Sequence, residues 1–364
     1  LNAAEEQSLW QRLEAAELAA GAPPAPPEPP APWFVRVMLG VAGWISALFL
    51  VGTIVLAMGS VKESFGPFMI VGSLLCAGAT VLSRVVKRND FVQQLALAGS
   101  LAGQFFFLIA FADKTGWNFS DTYLPLAAIA AALFLAFPTS LHRVWSAAMG
   151  TLFLTLLLRD WLPPSYALAA LCAAPGALWL YDLSRPRVAS MVHHLAVGVS
   201  LTLMVTMLFF DTSARRLGRS STPWELDLPF WPGGLLVAGI FLWVVYRLQS
   251  TAGWEPGSKI WRGTWAVAGL LAIAAVPAPG VGAAAVLLWL GVAHGYSLLA
   301  GLGTVALVGY LLGYYYILDL TLLAKSWWLL SIGAALLVLR QVLSLTGAAL
   351  DGTRNGAREE AQNG

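Results

Sequence analysis

Residues 296–345 read YSLLAGLGTVALVGYLLGYYYILDLTLLAKSWWLLSIGAALLVLRQVLSL. A membrane-spanning helix needs about 20 apolar residues, with a range of about 17 to 25. Two such runs, 296–318 and 320–345, stand here end to end. Every backbone N–H and C=O in lipid must be satisfied within its own segment, so these runs predict helices. The period-two alternation of a membrane β-barrel is absent. At the seam, residues 314–328, three tyrosines, Asp319 and Lys325 interrupt the apolar wall, with no glycine or proline between the acid and the base.

Working outward, the same ruler marks further apolar runs at 33–58, 65–83, 91–111, 123–138, 142–158, 163–182, 190–210, 230–249, 263–277 and 281–293. The expected fold is therefore all-α: a polytopic integral membrane bundle, residues 33–345, of about twelve spans, or ten counted conservatively. Composition agrees, since 58% of the 364 residues are hydrophobic and 11% charged, against roughly a quarter charged in soluble domains. Many runs end in an aromatic of the interfacial type: Trp33, Trp117, Trp145, Trp161, Trp231, Trp261 and Trp327. A net charge of +2, scattered between apolar runs, argues against nucleic-acid binding. Cys76 and Cys172 lie in separate runs without CxxC spacing and read as small packing residues.

The flanks differ from the bundle. Residues 1–20 suit a short amphipathic helix, with Leu9, Leu13 and Ala16 in register. Glu5, Glu6, Glu14 and Glu17 against Arg12 make it acidic, which suits a partner better than anionic lipid. Residues 21–32, GAPPAPPEPPAP, form an extended polyproline spacer. No charged n-region followed by a short apolar core and a cleavage site opens the chain, so no cleavable signal peptide is expected. The polar tail, 346–364, has the composition of a disordered segment.

Lysine and arginine set the orientation. With the N-terminus in the cytoplasm, fourteen of the 21 basic residues fall inside and seven outside, which predicts that both termini are cytoplasmic. The exception is the loop at 211–229, with Arg215, Arg216 and Arg219 on the outer side. The apolar parts of 264–276 and 281–293 are short, roughly 20 Å of helix each. With VPAPGVG between them they read either as a re-entrant pair, the way broken helices build midplane sites in transporters, or as two ordinary spans lengthened by Trp261–Gly263 and His294–Tyr296.

Polar residues within the runs are few, and each is a functional candidate by default. Gln104 lies beside Gly99 and Gly103, a small-xxx-small pattern that brings helices close enough for the glutamine to hydrogen-bond across the contact. His193 and His194, near the inner interface, point about 100° apart on a helix and cannot chelate one metal together; a lipid headgroup or backbone carbonyl suits them better. His142 and His294 are assigned to short loops. No P-loop, dinucleotide-binding glycine motif, nucleophile elbow or HExxH pattern occurs. Neither catalytic residues, nor a cofactor, nor a metal site is expected.

At the seam, Asp319 can cap a helix that begins at Leu320. Lys325 then lies inside the apolar region, where it snorkels outward or pairs with an acid. Alternatively 319–325 is an external loop, with Lys325 solvated, Tyr314, Tyr315 and Tyr316 in the outer aromatic belt, and Gly309 and Gly313 forming a second close-packing surface below.

Tyr315, Tyr316, Leu318, Thr321, Leu322, Leu323, Lys325, Ser326, Gly333 and Arg340 together resemble the C-terminal signature of a bacterial membrane family, the domain of unknown function numbered 4401. The resemblance implies no reaction. It implies a partner, because members of that family are usually encoded beside a smaller membrane-anchored protein named for a GDYxxLxY motif, which this chain lacks. The abundance of alanine, and of arginine over lysine, fits a high-GC bacterial genome and hence the bacterial inner membrane. The expected role is a non-enzymatic membrane subunit that scaffolds a membrane-anchored partner among lipids. Residues 211–229 and 314–328 are its candidate contact surfaces. The alternative is a transporter or flippase for a small or lipid-like substrate. Third comes an enzyme acting on a lipid-linked substrate through an outer carboxylate such as Asp319, Glu225 or Asp227.

Overall fold

The computed structural model of the chain describes residues 33–58, 65–86, 89–116, 119–159, 161–162, 164–180, 186–211, 230–253 and 257–317. Single positions within 10–16 and 323–330 are also described. Eleven α-helices occupy them: α1 (Trp33–Met58), α2 (Phe65–Val85), α3 (Asp90–Thr115), α4 (Phe119–Ala136), α5 (Ser140–Leu158), α6 (Pro164–Leu180), α7 (Pro186–Val205), α8 (Phe230–Thr251), α9 (Lys259–Ala275), α10 (Pro279–Ala293) and α11 (Ser297–Ile317). Each coincides with one predicted apolar run. The twelfth run, 320–345, lies outside the described residues except for Leu323, Ser326 and Leu330, which are helical. Seven helices are long and apolar enough to cross a membrane, and α4, α6, α9 and α10 are shorter apolar helices. The protein is a polytopic helical membrane protein.

Gly233 at the start of α8 meets Ser165 at the start of α6, and Gly309 in the second half of α11 meets Leu208 just past α7, so the odd-numbered helices from α3 onward start at one end of the bundle, here the proximal end. Local chemistry places the boundaries. Asn89 caps α3, its side-chain oxygen accepting from the Val92 N–H at 3.2 Å, and Gly116 closes the helix with φ 61°. Ser258 caps α9 in the same way through the Trp261 N–H. The C-terminal carbonyls of α4 receive two guanidinium groups: Arg84 donates to Ala136 O at 2.6 Å and Arg143 to Phe137 O at 2.9 Å. Cations there also oppose the negative end of the helix dipole.

Two packing units result. In the first, α2 and α3 pack tightly, α4 pairs with α5, and α1 leans on α3. A Cβ on Gly103 would sit 2.6 Å from Cys76 Sγ and 2.8 Å from Gly72 O, so the close approach of α2 and α3 depends on glycine. In the second unit α10 is the axle, touching α6, α7, α8, α9 and α11. Residues 279–287 of α10 are buried without interruption, together with Leu290 and Gly291. A helix apolar on every side belongs in the middle of a bundle, and its 15 residues reach only roughly 22 Å. The α10–α11 hairpin is zipped by small residues. A Cβ on Gly291 would fall 2.3 Å from Ala300 N, one on Gly303 2.5 Å from Leu288 N, and one on Gly280 2.2 Å from the Tyr310 ring. Residues 264–293 are thus two helices, with α9 extended back to Lys259, joined through the turn at 276–278.

The α5–α7 contact joins the units. Gly198 lies against Ala147 and Val144 O, and Thr202 donates to Ala148 O at 2.8 Å. The sequence did not announce that α7 ends in a π-helical turn, Thr206–Asp211. That turn carries buried Met207 and brings Leu208 against Gly309 of α11, where a Cβ would fall 2.8 Å from Leu208 Cδ2. Single π turns recur where a helix must aim a side chain off the α-helical register.

Candidate functional site

Most of the sequence-predicted site lies beyond what the structure describes. Asp319, Thr321, Lys325, Arg340, Arg215, Arg216 and Arg219 are outside the described residues, as are Trp117, Trp327, the 212–229 loop, the 21–32 spacer and the tail. Of the first twenty residues, Trp10, Gln11, Arg12 and Glu14 are helical, and the Ala16 N–H donates to Arg12 O at 3.0 Å. Tyr315 is half-buried in the last turns of α11, Tyr316 follows within the same helix, and Ser326 is helical and exposed. Gln104 stands beside the α2–α3 contact, but its Nε2 is buried without a partner among the described residues. Polar links across that contact are made instead by Ser100 with Cys76 and by Gln93, whose Nε2 donates to Ser83 O at 3.0 Å. Both cysteines are free and buried.

What the structure brings together is histidine. His142 is no loop residue: it sits in the first turn of α5, wholly buried. Ser100 Oγ of α3 lies 2.7 Å from its Nε2, and Ser146 Oγ, one turn along α5, lies 3.1 Å from its Nδ1. Phe137 stacks on the ring at 3.7 Å and 9°. Ser100 continues the network to Cys76 of α2, whose Sγ donates to Ser100 O at 3.5 Å. With one donor and one acceptor, a neutral imidazole is fully satisfied between two hydroxyls. A serine 2.7 Å from an imidazole is also the geometry of a nucleophile and its base. Here, however, both residues are sealed from solvent, and the second nitrogen meets a serine where a catalytic pair has an orienting acid. The arrangement suits a polar clamp on α2, α3 and α5.

The other three histidines converge at the proximal end of the second unit. Trp179, near the end of α6, has His193 of α7 at 5.4 Å, His294 of the α10–α11 turn at 5.7 Å and Tyr296 at 5.5 Å, between ring centroids. His193 and Tyr296 are themselves 5.5 Å apart, and His194 neighbours His193 at 6.0 Å. Trp179 is fixed from behind, its Nε1 donating to Ser200 Oγ at 3.2 Å, which in turn donates to Ala196 O. His294 is held as well: because a carbonyl can only accept, its Nδ1 donates to Leu290 O at 2.9 Å. Sequence reading missed this meeting because His193 and His294 lie a hundred residues apart and neither belongs to a spaced motif. The only signal was that both fall at predicted inner ends. Among the described residues, no group of three or more His, Cys, Asp or Glu side chains could hold a metal ion.

No curated protein and no solved structure matches this chain. A family match does run through the whole bundle, from residue 32 just before α1 to residue 346 at the end of the twelfth apolar run. The chain belongs to the family described as Domain of unknown function (DUF4401).

Proposed function

We propose that the protein is a non-enzymatic integral subunit of the bacterial cytoplasmic membrane that scaffolds a smaller, membrane-anchored partner of the GDYxxLxY type. Both termini and the proximal end face the cytoplasm, and the twelfth run completes the spans. One observation carries the scaffold reading: α1 is an outrigger. Within its most apolar window 6% of the residues are buried, against 50% in α3, and it leans on α3 with Gly43 over Gln94. Its free flank presents Leu48, Phe49 and Leu56 around Gly52 and Thr53, a shallow groove of the small-and-large pattern that a single foreign helix fits.

Transport is the weaker reading. A site between residues 264–293 and the Lys325 helix would need polar space beside α9 and α10, and α10 is instead wrapped by apolar side chains and close glycine contacts. Purification of the tagged chain from its native host in mild detergent, after photo-crosslinking from positions 49 and 56, tests the scaffold. A stoichiometric partner crosslinked at both positions is the expected result. A solitary chain would overturn the reading and favour reconstituted uptake assays. Alanine at Asp319, Glu225 and Asp227 should leave the host's phenotype unchanged; a loss equal to deletion of the gene would instead point to chemistry at the outer face.

A further inference from the structure

We infer that the proximal rim of the second unit, built on Trp179, His193, His294 and Tyr296, binds a phosphate-bearing group: the headgroup of an anionic lipid or a soluble phosphate. The inference is independent of the partner proposed above. Three observations converge on it.

First, the rim is built. An interfacial tryptophan usually turns its N–H to the headgroup water, but Trp179 spends its N–H inside the α6–α7 contact on Ser200. Its ring is thereby locked as a platform, with His193, His294 and Tyr296 set around it at 5.4–5.7 Å. Second, imidazole nitrogens remain for a ligand. His294 Nδ1 is committed to Leu290 O, which leaves Nε2, and neither nitrogen of His193 bonds to a described residue. Among the described side chains, the charged ones at this end are basic. In the α5–α7 register fixed by Gly198 on Val144 O and Thr202 on Ala148 O, Arg143 lies within a turn of the level of His194, its Nε donating to Phe137 O. Arg247 in the last turns of α8 and Arg262 in the first turn of α9 are exposed at the same end.

Third, a buried amide marks the same level. Val237, Phe241, Val245 and Gln249 form an i, i+4 row on α8, and this row packs on α10: Gly282 lies against Val237, and Trp289 meets Phe241 at 5.8 Å. Gln249 ends the row at the height where α10 gives way to His294 and Tyr296. It is 5% exposed, and neither its amide nitrogen nor its amide oxygen has a partner among the described residues. A buried amide left so is destabilising unless a polar group sits against it. Imidazole and guanidinium donors around an aromatic platform are the groups that recognise phosphate, and basic pockets between membrane helices hold lipid headgroups.

The chain has four histidines, which makes the test local. Full-length protein with 15N-labelled imidazoles, in phosphatidylcholine nanodiscs, would be assigned by single His→Gln changes and titrated in two arms, with phosphatidylglycerol and with inorganic phosphate. The expected result is a saturable shift of the His193 and His294 signals, with a smaller one at neighbouring His194, while buried His142 in the first unit stays still. Saturation by phosphatidylglycerol alone identifies the lipid headgroup, and saturation by inorganic phosphate alone a soluble ligand. In H193Q/H294Q the midpoint read at His194 should rise at least about tenfold, equivalent to about 1.4 kcal/mol, with an unmoved His142 signal reporting an intact fold. No saturable shift in either arm would overturn the inference, as would equal movement of all four signals or an unchanged midpoint in the double variant.

Discussion

The two packing units are both built of apolar helices but hold together differently. In the α1–α5 unit a polar clamp bridges three helices through His142, Ser100 and Cys76, and one helix, α1, hangs largely free. In the α6–α11 unit the centre is a short helix without charge, α10, gripped by backbone-to-backbone contacts at Gly291 and Gly303 and by Gly280 against the Tyr310 ring. Lipid is as apolar as leucine, so burying leucine does not draw membrane helices together. Close packing and polar links do. The first unit adds a buried polar link to its glycine-close α2–α3 contact, and the centre of the second rests on closeness alone.

Substitutions can break that contrast, and the largest effect is expected in the axle. Gly303→Ala places a Cβ 2.5 Å from Leu288 N, where only backbone can yield. We expect a loss of about 3 kcal/mol, at the top of the overpacking range, seen as a lower denaturation midpoint in mixed detergent. An unchanged midpoint would show that the hairpin is not held by closeness. Next comes His142→Ala, which strips partners from Ser100 and Ser146 and opens a cavity beneath Phe137. About 2–3 kcal/mol should be lost. Hydrogen exchange should rise in α2, α3 and α5 while α8–α11 stay protected; a uniform rise would mean that the units are not separate. The smallest effect belongs to Gly52→Ala on α1, where a Cβ meets nothing within 4 Å. Stability should change by less than about 1 kcal/mol, upward, because alanine is the better helix former. A marked loss would show that the α1 flank is occupied within the protein itself.

Much of this architecture was legible. Apolar run length located all eleven described helices, since the bilayer sets one length for every span. The pattern of Gly99 and Gly103 pointed to a close helix contact, and Gly103 does lie on Cys76 and Gly72. Less could be read of the polar sites. The pattern assigned the cross-helix hydrogen bond to Gln104, whereas Ser100 makes it, because which face of α3 meets α2 and α5 depends on rotations that a run of apolar residues does not encode. His142 was placed in a loop because it stands at the very edge of its run, but α5 starts at Ser140 and draws it into the interior.

By itself the amino-acid sequence determined the class of molecule, the number and approximate positions of the described helices and the family, because these follow from hydrophobicity summed along the chain and from local motif. Only the tertiary structure decided that α10 is the axle, that α1 is the outrigger, and that His193 and His294 share one tryptophan. In a bundle whose helices are apolar on almost every side, hydropathy ranks no face above another. The choice falls to glycine contacts and isolated hydrogen bonds, and these exist only once distant segments have met.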